Sequence, residues 1–249
     1  MRNLKSYFPL FRILGPLIFE RRTFENPEVL RETLEHNKKL IVVMNHSTPM
    51  SWLPAMTALS LACLEVGQGD RRPHGVMDRF FYQVPGLKHL AQFLTQFDHP
   101  TSFEELRGEF MAKDQIDLVI LPEGSNCFFE PPGSIEQFRS LRFLELAHKT
   151  KTPILVCIHR GSEHWGQEIA VPERLERLLS LYPGQLWPRL RKTQVLTVPV
   201  WPKKISHFRM KVFSFKPDLK NSQDMSLQHL QRESERLLLE MQEAYRALF

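Results

Sequence analysis

Short apolar runs alternate along the chain with longer segments whose apolar residues recur at helical spacing. Residues 40–44, 117–121 and 153–158 are runs of strand length, and polar or turn-forming residues bound each of them. The segments between them place apolar side chains three or four positions apart, as amphipathic helices do. This alternation predicts an α/β protein with a mainly parallel central sheet covered by helices.

The same periodicities predict the remaining elements. Residues 74–77, 195–201 and 207–215 show the pattern of further strands. Asn26 and Ser102 stand where the N-caps of helices are expected. The spacing of apolar residues predicts helices over residues 26–37, 52–64, 82–94, 102–113, 134–149 and 226–248.

The N-terminal segment predicts contact with a membrane. Its first 22 residues combine large apolar side chains with five basic ones: Arg2, Lys5, Arg12, Arg21 and Arg22. This composition is typical of a helix lying in the interface of an anionic bilayer, although a helix packed on the protein body could share it. No apolar segment approaches the ~20 residues that span a bilayer. We therefore expect a membrane-interacting helical segment over residues 1–37 and an α/β domain over residues 38–249, on the cytoplasmic face of a membrane.

Composition narrows the class of partner. The chain has 249 residues, 42% of them hydrophobic and 24% charged, which is typical of a globular protein that can bury a sizeable core. Its net charge of +5 favours anionic partners such as a membrane surface, a phosphorylated lipid or nucleic acid. Cys63, Cys127 and Cys157 are odd in number and far apart, which favours a reducing compartment.

Two of the apolar runs end in residues that carry chemistry. Asn45 and His46 follow the first run, and Glu123 with Gly124 follows the second. Side chains that follow parallel strands meet at the carboxyl edge of the sheet, where ligands bind in open α/β proteins. If these two strands are parallel neighbours, His46 and Glu123 share one pocket.

The residues around His46 and Glu123 also resemble two motifs of a known family. Asn45-His46-Ser47-Thr48-Pro49-Met50-Ser51 resembles Asn-His-x-Ser-x-x-Asp, the first motif of the glycerolipid acyltransferases, the lysophosphatidic-acid-acyltransferase-like family. The sequence LPEGSN at 121–126 resembles that family's Phe-Pro-Glu-Gly-Thr-Arg. Segment 80–87, between the two motifs, and segment 152–156, after them, resemble family sequences too, so that the resemblance covers roughly residues 38–161, about half the chain.

The resemblance implies an O-acyltransferase of phospholipid biosynthesis. It would move a fatty acyl chain from acyl-CoA or acyl-carrier protein, its co-substrates, to a hydroxyl of a lysophospholipid or related lipid, without a cofactor or metal. His46 would be the general base, with Ser51 and Glu123 as further catalytic residues. The residues implied to bind the substrates are Asn45, Thr48, Gly124, Ser125 and Asn126.

Three positions depart from the family's motifs. Ser51 stands in place of the motif Asp that orients the base, Asn126 replaces an Arg, and Phe97-Asp98-His99 replaces a stretch that ends in Arg. Carboxylates that could replace the Asp are Glu123, Asp78 and Asp98. Asn lacks the charge and the fork with which Arg binds phosphate. The basic residues that could supply that charge are Arg79, Lys88, Arg160 and, as first choice, Arg139.

Other functions remain open from the sequence. The losses at Ser51 and Asn126 also suit a catalytically impaired member that binds lipid or a protein partner. A soluble hydrolase would need a nucleophile beside His46, for which Thr48 and Ser51 are candidates, but the chain has no Gly-x-Ser-x-Gly elbow. Cys127 adjoins the turn at Glu123 and Gly124 and is a further candidate nucleophile, but the sequence shows no basic neighbour that would activate it. His159 and His164 have no further ligand at a suitable spacing, and no motif indicates nucleic acid binding, so neither a metal site nor a nucleic acid partner is predicted.

Overall fold

The computed structural model describes residues 2–77, 79–83, 86–172, 174, 193–200, 203–218 and 226–248. The described strands are β1 (Phe19–Glu25), β2 (Leu40–Met44), β3 (Arg72–Gly75), β4 (Ile116–Ile120), β5 (Ile154–Arg160), β6 (Gly166–Ala170), β7 (Val195–Pro199) and β8 (Ile205–Phe215). The described α-helices are α1 (Leu4–Ile18), α2 (Pro27–His36), α3 (Trp52–Glu65), α4 (Phe80–Gln83), α5 (Leu87–Thr95), α6 (Phe103–Ala112), α7 (Arg142–Thr150) and α8 (Leu227–Ala247). Short 3₁₀ helices span Gly124–Phe128 and Glu163–Trp165.

Six strands form one sheet in the order β1-β8-β5-β2-β4-β3. The four strands β5, β2, β4 and β3 run parallel to one another. β8 is antiparallel to β5, and β1 is parallel to β8. The prediction of an α/β fold with a mainly parallel central sheet is therefore confirmed. β6 and β7 form a separate antiparallel pair.

Helices cover both faces of the sheet because the buried strands are apolar on both sides. In β2, Val42 and Met44 face α1, α2 and α3, whereas Ile41 and Val43 face α6, α7 and α8. All five residues of β2 are buried. The central strand that precedes His46 is therefore held from both faces.

The N-terminal segment is part of this sheet, which the sequence analysis missed. Helix α1 packs on α3, and its buried residues Leu4 and Ile18 share an apolar cluster with that helix. The chain then enters β1, whose hydrogen-bond partner is β8. An N-terminal helix was predicted, but the strand over Phe19–Glu25 was not, because its charged residues obscure the alternation expected of a strand.

The helix predicted over residues 134–149 begins only at Arg142. The backbone before it wraps around the turn that follows β4. The amide of Arg139 donates to the carbonyl of Pro122 at 2.8 Å, and the carbonyl of Gln137 accepts from Asn126 at 3.0 Å. These groups bind the turn and so are not part of a regular helical ladder. The predicted cap at Asn26 is also absent, since Asn26 has φ of 60° and makes no capping bond.

Candidate active site

His46 and Glu123 meet at the carboxyl edge of the sheet, as the sequence predicts. β2 and β4 are parallel neighbours, with Val43 opposite Ile120. The backbone amide of His46 donates a hydrogen bond to Oε2 of Glu123. The Nδ1 atom of His46 lies 3.2 Å from the carbonyl oxygen of Gly124. The residues that follow the two strands therefore form one connected site.

The contact with Gly124 fixes the tautomer of His46. A carbonyl oxygen can only accept, so Nδ1 carries the proton and Nε2 has the free lone pair. Nε2 points toward Cys127, whose Sγ lies 3.7 Å away. Burial lowers the pKa of His46 to about 4, which the carbonyls of Gly124 and Pro49 partly oppose. The ring is therefore neutral near pH 7 and able to accept a proton.

Glu123 is a buried acid with an incomplete set of partners. Only 1% of the residue is exposed, and Oε1 has no hydrogen-bond partner among the described residues. Burial raises the pKa of Glu123 to about 8, opposed by the amide of His46. Glu123 therefore holds a proton at neutral pH. The carboxyl group of Glu123 binds the backbone amide of His46 and not its ring. The group that contacts Nδ1 of the ring is the carbonyl of Gly124.

The turn after Glu123 brings in the predicted basic residue. Gly124 has φ of 56°, a left-handed conformation that glycine adopts without strain. A Cβ atom at Gly124 would lie 3.3 Å from Cδ of Arg139. The Arg139 guanidinium donates to Oγ of Ser125 at 2.9 Å. Ser125, Gly124 and an exposed guanidinium thus lie together beside His46, as expected for an anion-binding rim.

Ser51 is not where an orienter of His46 would be. Its hydroxyl donates to the carbonyl of Thr48 at 2.9 Å and accepts from the amide of Thr48 at 3.2 Å. Ser51 therefore closes the turn that leads into α3. The hydroxyl of Thr48 is buried and has no hydrogen-bond partner among the described residues.

Asn45 and Asn126 serve the backbone, although the sequence assigned both to substrate binding. The amide of Asn45 donates to the carbonyl of His159 at 3.1 Å and accepts from its N–H at 2.8 Å, which ties the end of β2 to β5. Asn126 is buried, and its amide donates to Gln137. Neither side chain carries the positive charge with which an Arg would bind a phosphate.

Two of the other candidates have contacts elsewhere in the fold. The carboxylate of Asp98 is exposed and lies 3.7 Å from His99, and Asp78 is outside the described residues. Arg160 lies over the ring of Tyr245, 4.5 Å from its centroid. Arg79 and Lys88 are exposed, whereas Arg139 is hydrogen-bonded to the turn itself and is therefore the best-placed cation.

No protein-family model matches this chain, and no curated protein sequence matches it. Its membership of a family is therefore not shown. Within the described part of the chain, no group of three or more His, Cys, Asp or Glu residues is placed to hold a metal ion. None of the described helices is both long and apolar enough to cross a bilayer.

Two features of the site were missed by sequence reasoning. Cys127 was considered as a nucleophile without a neighbour to activate it, and the structure puts His46 beside it. Polar atoms without a described hydrogen-bond partner are also concentrated along the same edge of the sheet: Ser47 Oγ, Thr48 Oγ1, Glu123 Oε1, His159 Nδ1 and Ser162 Oγ. Buried polar atoms without partners are rare and often mark functional sites. Only the folded chain shows that these atoms gather at one edge.

Proposed function

We propose that this chain is an O-acyltransferase that moves an acyl group from a thioester donor to a hydroxyl of a lipid acceptor. The donor would be acyl-CoA or acyl-carrier protein, and the acceptor a lysophospholipid or related lipid. The contact between Nδ1 of His46 and the carbonyl of Gly124 carries the proposal. It leaves Nε2 able to take the proton of a reacting thiol or hydroxyl, as a general base must.

The rim beside His46 suits an anionic headgroup. Arg139 is exposed and held at Ser125, so its guanidinium stands next to the turn whose Gly124 carbonyl contacts the base. An Arg in this position would replace the charge that Asn126 lacks. Arg139→Gln should raise KM for a phosphorylated acceptor and leave KM for an uncharged acceptor unchanged. An unchanged KM for the phosphorylated acceptor, or an equal rise in KM for both acceptors, would argue against this assignment.

Membrane association is proposed through the outer face of α1. Leu10, Ile13 and Leu17 lie on one side of the helix and are 38%, 63% and 67% exposed. The exposed Arg12 and Arg21 flank this side with positive charge. An apolar stripe with basic flanks suits the surface of an anionic bilayer.

Point substitutions test this better than truncation, because removal of residues 1–22 would also remove part of β1. Ile13→Glu/Leu17→Glu should reduce co-sedimentation with vesicles that contain an anionic phospholipid. Leu239→Glu is the matched control, since Leu239 is 53% exposed on α8. Unchanged binding of the double variant would exclude α1 as the membrane contact.

The activity is tested with radiolabelled acyl-CoA or acyl-carrier protein and a panel of lysophospholipids. His46→Gln should lower transfer by about 10²- to 10⁴-fold, the usual contribution of a general base. His36→Gln is the control, because His36 is exposed in the last turn of α2, the helix that precedes the amino end of β2. Wild-type transfer in His46→Gln would overturn the proposal.

A second candidate is a lipid- or partner-binding protein without catalysis. The commitment of Ser51 and Asn126 to backbone hydrogen bonds favours it, because neither can perform the role of the residue that it replaces. Vesicle binding that persists in His46→Gln, together with no transfer by the wild type from any donor, would support this function in place of the enzyme.

A further inference from the structure

Cys127 lies against the atom of His46 that accepts protons. The distance from Sγ to Nε2 is 3.7 Å, within the range of a hydrogen bond to sulfur. Because Nδ1 of His46 donates to Gly124, Nε2 is the acceptor of this pair and the thiol is the donor. The thiol proton therefore points to the base.

One turn builds both members of the pair. Gly124 supplies the carbonyl that fixes the ring of His46, and it opens the 3₁₀ helix Gly124–Phe128 that carries Cys127. Glu123, at the start of the same turn, interacts electrostatically with the thiol, and its Oε1 has no partner in the described chain. The thiol thus lies among polar groups whose hydrogen bonds are incomplete.

The other two cysteines show what a structural cysteine looks like in this fold. Cys63 on α3 and Cys157 on β5 are buried in the apolar cluster between the sheet and its helices. In such surroundings a cysteine acts as a small apolar residue that packs in the core. Cys127 is equally buried, at 3% exposure, but is not in that cluster and has an imidazole nitrogen as its neighbour.

We propose that Cys127 is the nucleophile of the reaction and carries the acyl group as a thioester between donor and acceptor. This inference rests on the proposed function, since it describes how the same site would transfer the chain. A thiol paired with a neutral imidazole is a recognised arrangement for nucleophilic catalysis. The donor is a thioester, so its exchange onto Cys127 replaces one thioester bond with another.

The first half-reaction forms the acyl-enzyme. Sγ of Cys127 attacks the carbonyl carbon of the donor, and Nε2 of His46 takes the thiol proton. The bond between that carbon and the donor sulfur breaks, and the donor leaves as a thiol after it receives the proton from His46. The acyl group remains on Sγ, and no oxidant or metal is required.

The second half-reaction regenerates the thiol. Nε2 of His46 takes the proton of the acceptor hydroxyl, and the oxygen attacks the acyl carbon. The bond from that carbon to Sγ breaks, the ester leaves, and His46 returns the proton to Cys127. His46 therefore serves as the base of both halves.

The resting pair is neutral. Burial raises the pKa of Cys127 well above its usual value and lowers that of His46 to about 4. The thiolate then forms only as the proton moves to Nε2 during attack. In the absence of a donor, Cys127 should therefore react with iodoacetamide no faster than a buried thiol does.

The test is to trap the acyl-enzyme. The full chain is mixed with radiolabelled acyl-CoA without acceptor, quenched in acid and analysed for protein-bound label. Label that neutral hydroxylamine releases and that peptide mapping locates on Cys127 is expected. Cys127→Ala should abolish the label and lower kcat/KM for transfer by at least about 10³-fold. Cys157→Ala is the matched control and should keep both.

A second variant separates chemistry from folding. Cys127→Ser retains the volume of the side chain, and its near-ultraviolet circular dichroism should match that of the wild type. It should carry no hydroxylamine-labile label. Initial rates of the wild type are measured over a grid of donor and acceptor concentrations. Their double-reciprocal plots should be parallel lines, as a ping-pong mechanism requires.

The outcomes distinguish this inference from the proposed function. Full transfer by Cys127→Ala, with no label in the wild type, would overturn the acyl-enzyme and leave the acyltransferase standing. Label on Cys127 that is released only as free fatty acid would confirm the nucleophile and make the chain a thioester hydrolase. No label and no transfer from any donor would overturn both.

Discussion

Glu123→Gln should stabilise the protein increasingly as the pH rises. Burial raises the pKa of Glu123 to about 8 from an ordinary value of 4.5. Between these values the unfolded chain loses the proton while the folded chain keeps it, so the stability of the wild type falls as the pH rises. Gln has no proton to lose, and its oxygen can still accept from the amide of His46.

The expected size follows from the two pKa values. The difference in unfolding free energy between Glu123→Gln and the wild type should be near zero below pH 4.5. It should grow by about 1.4 kcal/mol per pH unit and level off near pH 8 at about 5 kcal/mol. A difference this large is measurable because a whole domain is typically stable by only ~5–15 kcal/mol.

Denaturant unfolding at pH 4.5, 6, 7 and 8.5, followed by tryptophan fluorescence, measures this difference. Glu243→Gln is the control, since Glu243 is exposed on α8 and its replacement should leave the pH profile unchanged. Parallel profiles for the wild type and Glu123→Gln would refute the reasoning, because they would mean that Glu123 ionises in the folded protein as readily as in the unfolded chain.

Three further predictions concern the scaffold. Arg71→Met should lower the unfolding free energy by about 3–5 kcal/mol, because it strips the bidentate partner from the buried carboxylate of Asp117, and Arg71→Met/Asp117→Leu should recover most of the loss in the same denaturant assay. Gly161→Ala should lower the unfolding free energy by about 2–3 kcal/mol, because Gly161 has φ of 110° and a Cβ atom there would lie 2.5 Å from a backbone carbonyl oxygen. Gly67 has φ of 80° but open space around it, so Gly67→Ala should lower the unfolding free energy by only about 1 kcal/mol. Thermal unfolding of the two variants measures the difference. Burial lowers the pKa of His74 to about 4, so the folded protein loses stability as the pH falls from 6.5 to 4. His74→Gln should remove about 3 kcal/mol of that loss. An unfolding free energy that falls as steeply below pH 6.5 in the variant as in the wild type would contradict this.

Side-chain patterns predicted the parts of the fold that side chains determine. The apolar run of β2 and the N-cap at Ser102 were readable from sequence and are present in the structure. β1 was missed because an edge strand buries little and has no clean alternation: only Phe19 is fully buried in it. Residues 134–141 have helical spacing, but their backbone binds the turn after β4.

The same distinction applies to the candidate site. The meeting of His46 and Glu123 follows from two strands and the rule for parallel sheets, so sequence could predict it. The partner of the His46 ring could not be predicted, because it is a backbone carbonyl and every residue has one. Cys127 lies 81 positions from His46, and only the turn at Gly124 brings them together.

The exchange of a carboxylate for a carbonyl at Nδ1 of His46 has a chemical consequence. A carbonyl fixes the tautomer as well as Asp does, but it carries no charge to stabilise the imidazolium that forms when Nε2 takes a proton. Glu123, which holds its own proton near pH 7, does not supply that charge either. Such a site favours steps in which His46 passes the proton on as soon as it receives it. The proposed transfer between the thiol of Cys127 and the sulfur of the donor would be a step of this kind, since both sulfurs hold a proton readily near neutral pH.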